Sequence, residues 1–260
     1  MTSVPLIIEP DPDNPGCATV RVDAAVDGRT YRFVLDSGAA RTGMRSDAWI
    51  DALPSDARHE SSGVFAAMSE DLIVLPSIAL GPLIVTDVQA ARSAVGGGVL
   101  AMDVLGAAAI RIDLDRAELT IEASGTAPLP WTLDRSPRGH PFLDLRWPDV
   151  TGRALFDTGA GISMVDTSFV RAHPDLFSHA GETVGTDSSG TEATVDLYDM
   201  DAVTIGDRGF APTRVAVVDL PQDVGRMDVI LGYPTIRQAV WVFDFPANRW
   251  GFAPGSEPKA

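Results

Sequence analysis

The sequence is short of cysteine and of positive charge. Cys17 is the only cysteine among 260 residues, so an intrachain disulfide is impossible, and this favours a reducing compartment. Lysines and arginines number 20 against 36 aspartates and glutamates, which gives a formal net charge of -16. So negative a chain is a poor partner for nucleic acid or for an anionic membrane. Solubility is the simplest reason for the excess of acid.

Long apolar runs and metal-ligand patterns are also missing. No run approaches the roughly 18 apolar residues of a membrane-spanning helix. The first nine residues lack both a basic segment and an apolar run of the length that secretion requires. The four histidines show no spacing typical of a metal site. We therefore expect a cytoplasmic protein without a metal or other cofactor, and the hydrophobic content of 45% predicts a folded chain.

One short motif occurs twice. Residues 33–39 read FVLDSGA and residues 154–160 read ALFDTGA. Each is an apolar, strand-like run that ends in an aspartate, a hydroxyl residue and a glycine. A single copy would be weak, because Asp-Ser-Gly and Asp-Thr-Gly are common in turns. Two copies 121 residues apart, in matching surroundings, indicate an internal duplication.

The surroundings of the motif match on both sides. A hairpin with a glycine-containing turn precedes each aspartate, at Asp27-Gly28 and at Thr151-Gly152. Ser46 and Asp166 then follow as candidate caps of a short helix in each half. Later, residues 98–105 (GVLAMDVL) correspond to residues 229–236 (VILGYPTI), and a further strand pair closes each half. The pattern predicts two β-rich lobes of the same design.

This order of elements resembles that of the retropepsin-like and pepsin-like aspartic proteases, from about residue 18 to residue 252. Each lobe of that family carries Asp-(Thr/Ser)-Gly-Ala and, later, a turn of two apolar residues and glycine. The second half matches through residues 156–160 (FDTGA) and 230–232 (ILG). The first half departs at Ala101, where the family usually has glycine, and at Arg41, which corresponds to Ile162.

The resemblance implies an all-β fold: a two-lobed β-barrel duplication with pseudo-two-fold symmetry and a few short helices. One chain would supply both lobes, so we expect a monomer. Residues 1–17 would form a loose lead-in, in which residues 5–9 could be one edge strand. Residues 18–122 would form the first lobe, and residues 123–139, rich in proline and glycine, the linker. The second lobe would cover residues 140–254, and residues 255–260 would be a polar tail.

The resemblance also implies a catalytic pair, Asp36 and Asp157. Two carboxylates that lie about 3 Å apart cannot both ionise easily, so one acts as a base towards water while its protonated partner acts as an acid. Gly38 and Gly159 would let the two loops approach closely. The hydroxyls of Ser37 and Thr158 would hydrogen-bond across the interface. The alternative is that the aspartates only end strands and cap turns, and two copies in matching contexts favour the pair.

Further residues are candidates for a substrate cleft. By resemblance, Arg41 would line one side of the cleft and Ile162 the other, so that the Arg41 side accepts an acidic substrate residue. Equally, Arg41 could point to solvent or pair with a neighbouring aspartate. Two predicted hairpin tips could close over the substrate or be ordinary surface turns. The candidate residues at these tips are Ser62, Gly63, Ser189 and Gly190.

Two functions fit the sequence. The first is an aspartic endopeptidase that hydrolyses peptide bonds in peptides or unfolded proteins. The second is a peptide-binding or scaffolding protein that keeps the double lobe with little or no turnover. Retention of both aspartates favours the enzyme, whereas Ala101 and Arg41 leave room for the binding protein.

Overall fold

The computed structural model describes residues 2–93, 97–126, 128–222 and 225–253, and the side chains of Asp56 and Ser62 lie outside this description. These residues form mostly strands, with a few short helices. The strands as far as the predicted linker are β1 (Thr2–Pro10), β2 (Ala18–Val26), β3 (Arg29–Leu35), β4 (Gly43–Arg45), β5 (Ser55–Ser62), β6 (Ala67–Leu80), β7 (Leu83–Ser93), β8 (Gly98–Leu100), β9 (Ala109–Asp113) and β10 (Glu118–Glu122).

The second half of the chain repeats this pattern. Its strands, with two short ones in the predicted linker, are β11 (Trp131–Thr132), β12 (Asp134–Arg135), β13 (Pro141–Arg146), β14 (Thr151–Phe156), β15 (Ser163–Asp166), β16 (Phe177–Thr186), β17 (Glu192–Met200), β18 (Val203–Ile205), β19 (Arg208–Phe210), β20 (Thr213–Val218), β21 (Val229–Leu231), β22 (Trp241–Asp244) and β23 (Arg249–Phe252). The helices are α1 (Met102–Leu105), α2 (Thr167–Ala172) and α3 (Tyr233–Ile236), and residues Pro174–Leu176 form one 3-10 turn.

The two lobes share one strand topology. In the first lobe β3 pairs with β8 in parallel, β8 with β4 antiparallel, and β4 with β7 in parallel. In the second lobe β14, β21, β15 and β20 repeat these three pairings in the same order and directions. Each lobe also contains one long hairpin, formed by β5 and β6 in the first lobe and by β16 and β17 in the second. The expected all-β, two-lobed duplication is confirmed.

Alternating burial explains why these residues form strands. Along β2, Val20, Val22, Ala24 and Val26 are buried, while the residues between them are half-buried or exposed. This period of two places one face of the strand on the core. Near the end of β14, Ala154, Leu155 and Phe156 are all buried, as expected for a strand covered on both faces.

The final hairpins of the two lobes form one shared sheet. Strand β22 of the second lobe pairs antiparallel with β9 of the first lobe. Trp241 lies opposite Ile112 and Phe243 opposite Ile110, so the pseudo-two-fold symmetry of the lobes relates one pair to the other. Trp241 and Phe243 are fully buried, and both belong to the main hydrophobic core, which spans the two lobes. A second apolar cluster covers the other face of the second lobe's sheet. The β9–β22 pairing and this common apolar core therefore join the two lobes.

Two predicted boundaries look different in the structure. Residues 1–17 were expected to be a loose lead-in, but β1 pairs with both β10 and β2 and so joins two parts of the sheet. Apolar Val4 and Leu6 are buried there, which explains why the strand is held. The linker contains β11 and β12, which pair with β23 and β13. The division into lobes at residues 122 and 140 stays a prediction, and residues 254–260 lie outside the described residues.

Candidate active site

The two aspartates leave their strands at the same point in each lobe. Asp36 directly follows β3, and its amide donates to the carbonyl of Leu100 in β8 at 3.0 Å. Asp157 directly follows β14, and its amide donates to the carbonyl of Leu231 in β21, also at 3.0 Å. Both aspartates are therefore anchored to the central parallel strand pair of their own lobe.

The turn after each aspartate orients its carboxylate. The amide of Ala39 donates to Oδ1 of Asp36 at 2.8 Å. The amide of Gly159 donates to Oδ1 of Asp157 at 2.8 Å. Such local bonds are typical of Asp-(Ser/Thr)-Gly turns. Each turn leaves the second carboxylate oxygen for other partners.

Four reciprocal hydrogen bonds join the two aspartate loops through Ser37 and Thr158. The Ser37 amide donates to Oγ1 of Thr158, and the Thr158 amide donates to Oγ of Ser37, both at 3.1 Å. The Ser37 hydroxyl donates to the carbonyl of Phe156 at 2.8 Å, and the Thr158 hydroxyl to the carbonyl of Leu35 at 2.7 Å. Ser37 and Thr158 are buried, so losing one hydroxyl would leave buried partners unsatisfied.

Each loop glycine touches the aspartate of the opposite lobe. A Cβ atom added to Gly38 would lie 2.3–2.6 Å from the carboxyl atoms of Asp157. A Cβ atom added to Gly159 would lie 2.5–2.9 Å from the carboxyl atoms of Asp36. Real side chains do not tolerate such contacts. Glycine is required at both positions because the carboxyl groups approach the opposite backbone so closely.

The two carboxyl groups form a hydrogen-bonded, electrostatically coupled pair. Burial raises the pKa of Asp36 well above its usual range, and the charge of Asp157 and the hydrogen bond to it raise it further. Burial also raises the pKa of Asp157, while hydrogen bonds from Gly159, Asp36 and other donors act in the opposite direction. One carboxyl group of the pair can therefore hold a proton and donate it in a hydrogen bond to the other. The pair as a whole titrates, because its two groups interact too strongly for separate values.

Ala101 and Gly232 occupy corresponding positions beneath the two loops and have similar backbone dihedral angles. The amide of Ala101 donates to Oγ1 of Thr42, and the amide of Gly232 donates to Oγ of Ser163. Ala101 has φ -111 and ψ -173, and Gly232 has φ -105 and ψ -171. The methyl group of Ala101 is fully buried. Ala101 therefore adopts nearly the same backbone dihedral angles as the glycine at the corresponding position of the second lobe.

A half-buried carboxylate supports the first lobe where the second has none. Asp103 accepts hydrogen bonds from the amide of Thr42 at 2.9 Å and from its hydroxyl at 2.6 Å. Burial raises the pKa of Asp103, and the hydrogen bonds from Thr42 and the charge of Arg41 oppose this rise. In the second lobe Ser163 contacts the hydroxyl of Thr235 instead. Asp103, which belongs to α1, therefore connects this helix to Thr42 in the segment that follows Asp36.

Arg41 and Ile162 occupy different surroundings. Nη1 of Arg41 donates to the carbonyl of Gln89 at 3.1 Å, and Nε of Arg41 is buried without a hydrogen-bond partner among the described residues. Ile162 packs with Met164 against the second apolar cluster. Met164 lies in β15, two residues after Ile162, which directly precedes the strand, and this spacing of two places both side chains on the same cluster.

The long hairpins of the two lobes meet at their tips. Gly63 lies at the first tip, and Ser62 ends β5, but its side chain lies outside the description. At the second tip Ser189 and Gly190 shape the turn, because the Ser189 amide donates to Asp187 Oδ1 and the Gly190 amide to the Asp187 carbonyl. The amide of Phe65 donates to Oδ2 of Asp187 at 2.7 Å. Sequence reasoning placed Asp187 in the second hairpin tip but did not predict this contact, and it did not name Phe65.

The described residues offer no obvious metal site or membrane span. Groups of three or more histidine, cysteine, aspartate or glutamate side chains that could hold a metal ion do not occur among them. Their helices are all too short, at four to six residues, to cross a membrane.

The sequence matches one protein family in both halves. A family model described as aspartyl protease matches residues 22–107 and again residues 143–235. Each match contains one of the two aspartate loops and the apolar turn that packs beneath it. The chain therefore belongs to the aspartyl protease family. No curated protein matches the sequence.

Proposed function

We propose that the protein is an aspartic endopeptidase in which Asp36 and Asp157 activate a water molecule. The observation that carries this proposal is the coupled carboxyl pair, held by the reciprocal bonds of Ser37 and Thr158. Perturbed pKa values that arise from burial and from a specific charged partner are typical of catalytic carboxyl groups. A cytoplasmic location and a monomeric state remain parts of this proposal.

The proposed reaction needs only the two carboxyl groups and water. Asp157, ionised, takes a proton from the water, whose oxygen attacks the scissile carbonyl carbon, while Asp36 gives its proton to the carbonyl oxygen. The tetrahedral diol then collapses. Asp157 gives its proton to the leaving nitrogen as the C–N bond breaks, and a diol hydroxyl returns a proton to Asp36. The pair ends in its starting protonation state, so the cycle is closed.

The alternative is a peptide-binding protein without turnover. This alternative was suggested by Ala101 and Arg41, the two departures from the family pattern. Of these, Ala101 keeps the same backbone conformation as Gly232. Incubation with a mixture of unfolded-protein peptides at mildly acidic pH separates the two functions. A protease produces new peptide termini, detected by mass spectrometry. A binding protein retains intact peptides through gel filtration and produces no new termini.

Removal of Arg41 is expected to change substrate preference. We expect the outer guanidinium nitrogens of Arg41, Nη1 and Nη2, to pair with an acidic substrate side chain, and a charge-assisted hydrogen bond of this kind corresponds to about tenfold in affinity. We expect Arg41→Ala to lower kcat/KM for substrates with an acidic residue on that side by about tenfold, with little change for neutral ones. Profiling of a peptide library with the two proteins measures this.

Arg29→Ala is the matched control for this experiment. Arg29 is exposed and lies over the Trp49 ring at 5.2 Å, so its removal takes one positive charge from the same lobe. The control is expected to leave the preference for acidic residues unchanged. An equal acidic preference in wild type and in Arg41→Ala would show that Arg41 does not contact the substrate.

A further inference from the structure

We propose that Asp187 closes the substrate cleft. Its carboxylate, carried by the hairpin of the second lobe, binds the backbone amides at the tip of the first lobe's hairpin and must release them before an internal peptide segment reaches the aspartate pair. This inference rests on the proposed function, because it takes the space between the lobes as the peptide site. Asp187 is thus a positioning residue, which acts through the hairpin and not on the scissile bond.

The tip of the first hairpin presents two backbone donors to Asp187. The amide of Phe65 lies 2.7 Å from Oδ2 of Asp187, and the amide of Ala66 lies 3.3 Å from the same oxygen. Within this tip, the amide of Gly63 donates a hydrogen bond to the carbonyl of Ala66 at 2.8 Å, which closes the turn. Consecutive amides that point the same way form a concave anion-binding site. Asp187 fills this site from the opposite lobe.

The second hairpin holds the carboxylate in place by its other oxygen. Oδ1 of Asp187 accepts hydrogen bonds from the amides of Ser189 at 2.9 Å and Thr191 at 3.2 Å. The Ser189 hydroxyl also donates to it. Burial tends to raise the pKa of Asp187, but the bonds from Ser189, Phe65 and Thr191 prevail and lower it. Asp187 is therefore an ionised acceptor, preoriented by its own turn whether or not the tips touch.

Gly63 allows the close approach of the two tips. A Cβ atom added to Gly63 would lie 2.3 Å from Oδ2 of Asp187 and 3.1 Å from Oγ of Ser188. The oxygen that binds the two amides would therefore have to move. Any side chain at position 63 is expected to separate the tips, which gives a test that leaves the carboxylate itself in the chain.

The contact between the tips completes a ring around the cleft. The lobes are joined at the base by Ser37 and Thr158, and at the hairpins by Asp187 and Phe65. Val64 and Phe65 pack on the second lobe's apolar cluster, which includes Ala160, three residues after Asp157. The tip therefore lies on the side of the second lobe that carries the aspartate loop. A peptide segment without a free end can enter this ring only when the tips part.

Hydrogen exchange of the full chain without substrate tests the contact directly. In Asp187→Asn an amide nitrogen replaces one acceptor, so we expect Phe65 and Ala66 to exchange roughly tenfold faster or more. Gly63→Ala should act in the same direction. Asp166→Asn is the matched control, because Asp166 accepts from Ser168 in its own turn and from Leu220 of the same lobe. It should leave exchange at residues 63–66 unchanged.

A second measurement tests the gating role. A fluorescent statine-containing peptide should associate faster with Asp187→Asn and Gly63→Ala than with wild type or Asp166→Asn. Unchanged exchange at residues 63–66 in both variants would overturn the contact, and unchanged association rates would overturn the gating role. If Asp187→Asn does not fold, Gly63→Ala decides alone. Failure of the peptide to bind wild type would count against the proposed function, while the exchange result would still decide the contact.

Discussion

Replacement of either Asp36 or Asp157 by asparagine is expected to reduce kcat for peptide cleavage by about 10³-fold or more. Asparagine keeps the shape of the side chain but can neither accept the water's proton nor supply one to the carbonyl oxygen. The roles of the two residues are complementary, so either substitution alone should be enough to cause this loss of kcat. Measurement of kcat on one verified peptide substrate, for both variants and wild type, checks this.

Stability provides an internal control for these variants. Burial raises the pKa of both carboxyl groups in the folded protein. The contribution of the pair to stability is therefore fully present below the unfolded-state pKa and is lost as pH rises through the folded-state values. Asparagine has no charge to bury, so neither variant should unfold at a lower temperature than wild type at neutral pH.

Asp113→Asn is a suitable reference for a lost carboxylate elsewhere. Asp113 also ends a strand in the first half of the chain, and it caps the amide of Arg116. Its replacement should leave kcat near the wild-type value. Near wild-type turnover in Asp36→Asn or Asp157→Asn would contradict the proposed mechanism.

Substitution of Gly38 or Gly159 by alanine is expected to have the second-largest effect. The new methyl group would overlap the carboxyl group of the opposite lobe, which would have to move away from its partner. We expect a loss of about 10² in kcat, since catalysis requires close positioning. Overpacking should also destabilise the fold by about 1–3 kcal/mol. Kinetics and thermal unfolding of the two variants measure both effects.

Gly209→Ala is the matched control for the glycine substitutions. Gly209 lies in β19 of the second lobe, and a Cβ atom added there would meet nothing within 4 Å. Its activity should equal that of wild type. Wild-type kcat in Gly38→Ala would show that the carboxyl groups do not need the close approach seen in the structure.

Repetition made the two aspartate loops predictable from sequence. The motif around Asp36 and Asp157, with Ser37 and Thr158 beside it, specified two strand ends that the structure brings together as expected. Local chemistry alone was not sufficient, because Asp-Ser-Gly and Asp-Thr-Gly are common in turns. The duplication and the resemblance to aspartic proteases implied that the two loops pair. The family match over residues 22–107 and 143–235 agrees with this interpretation.

The prediction of a short helix after Ser46 was wrong, whereas the one after Asp166 was confirmed. Asp166 caps α2 through the amide of Ser168. In the first lobe Asp47 caps instead, through the amides of Trp49 and Ile50, and only turns follow. Pro54 disfavours helical geometry at the residue before it. The guanidinium of Arg92, 38 or more residues away, also takes up carbonyl groups of these turns.

Long-range pairing could not be deduced from local patterns. The sequence indicated a closing hairpin in each half, but not that β9 and β22 pair with each other. Strand β1 was underestimated because one of its two partners, β10, is distant in sequence, although the other, β2, is the next strand of the chain. The contact of Asp187 with Phe65 joins residues 122 positions apart, and a turn aspartate gives no local sign of such a partner.

The pH dependence of kcat/KM on a peptide substrate tests the shared proton most directly. Activity should fall at low pH, when the pair takes up a second proton and loses its base, and at high pH, when it loses its last proton and its acid. The raised pKa of Asp36 places the upper limb above the ordinary carboxyl range. We therefore predict a bell-shaped profile whose upper limb lies above the ordinary carboxyl range. A profile with a single limb near the ordinary carboxyl pKa of about 4 would contradict a coupled pair.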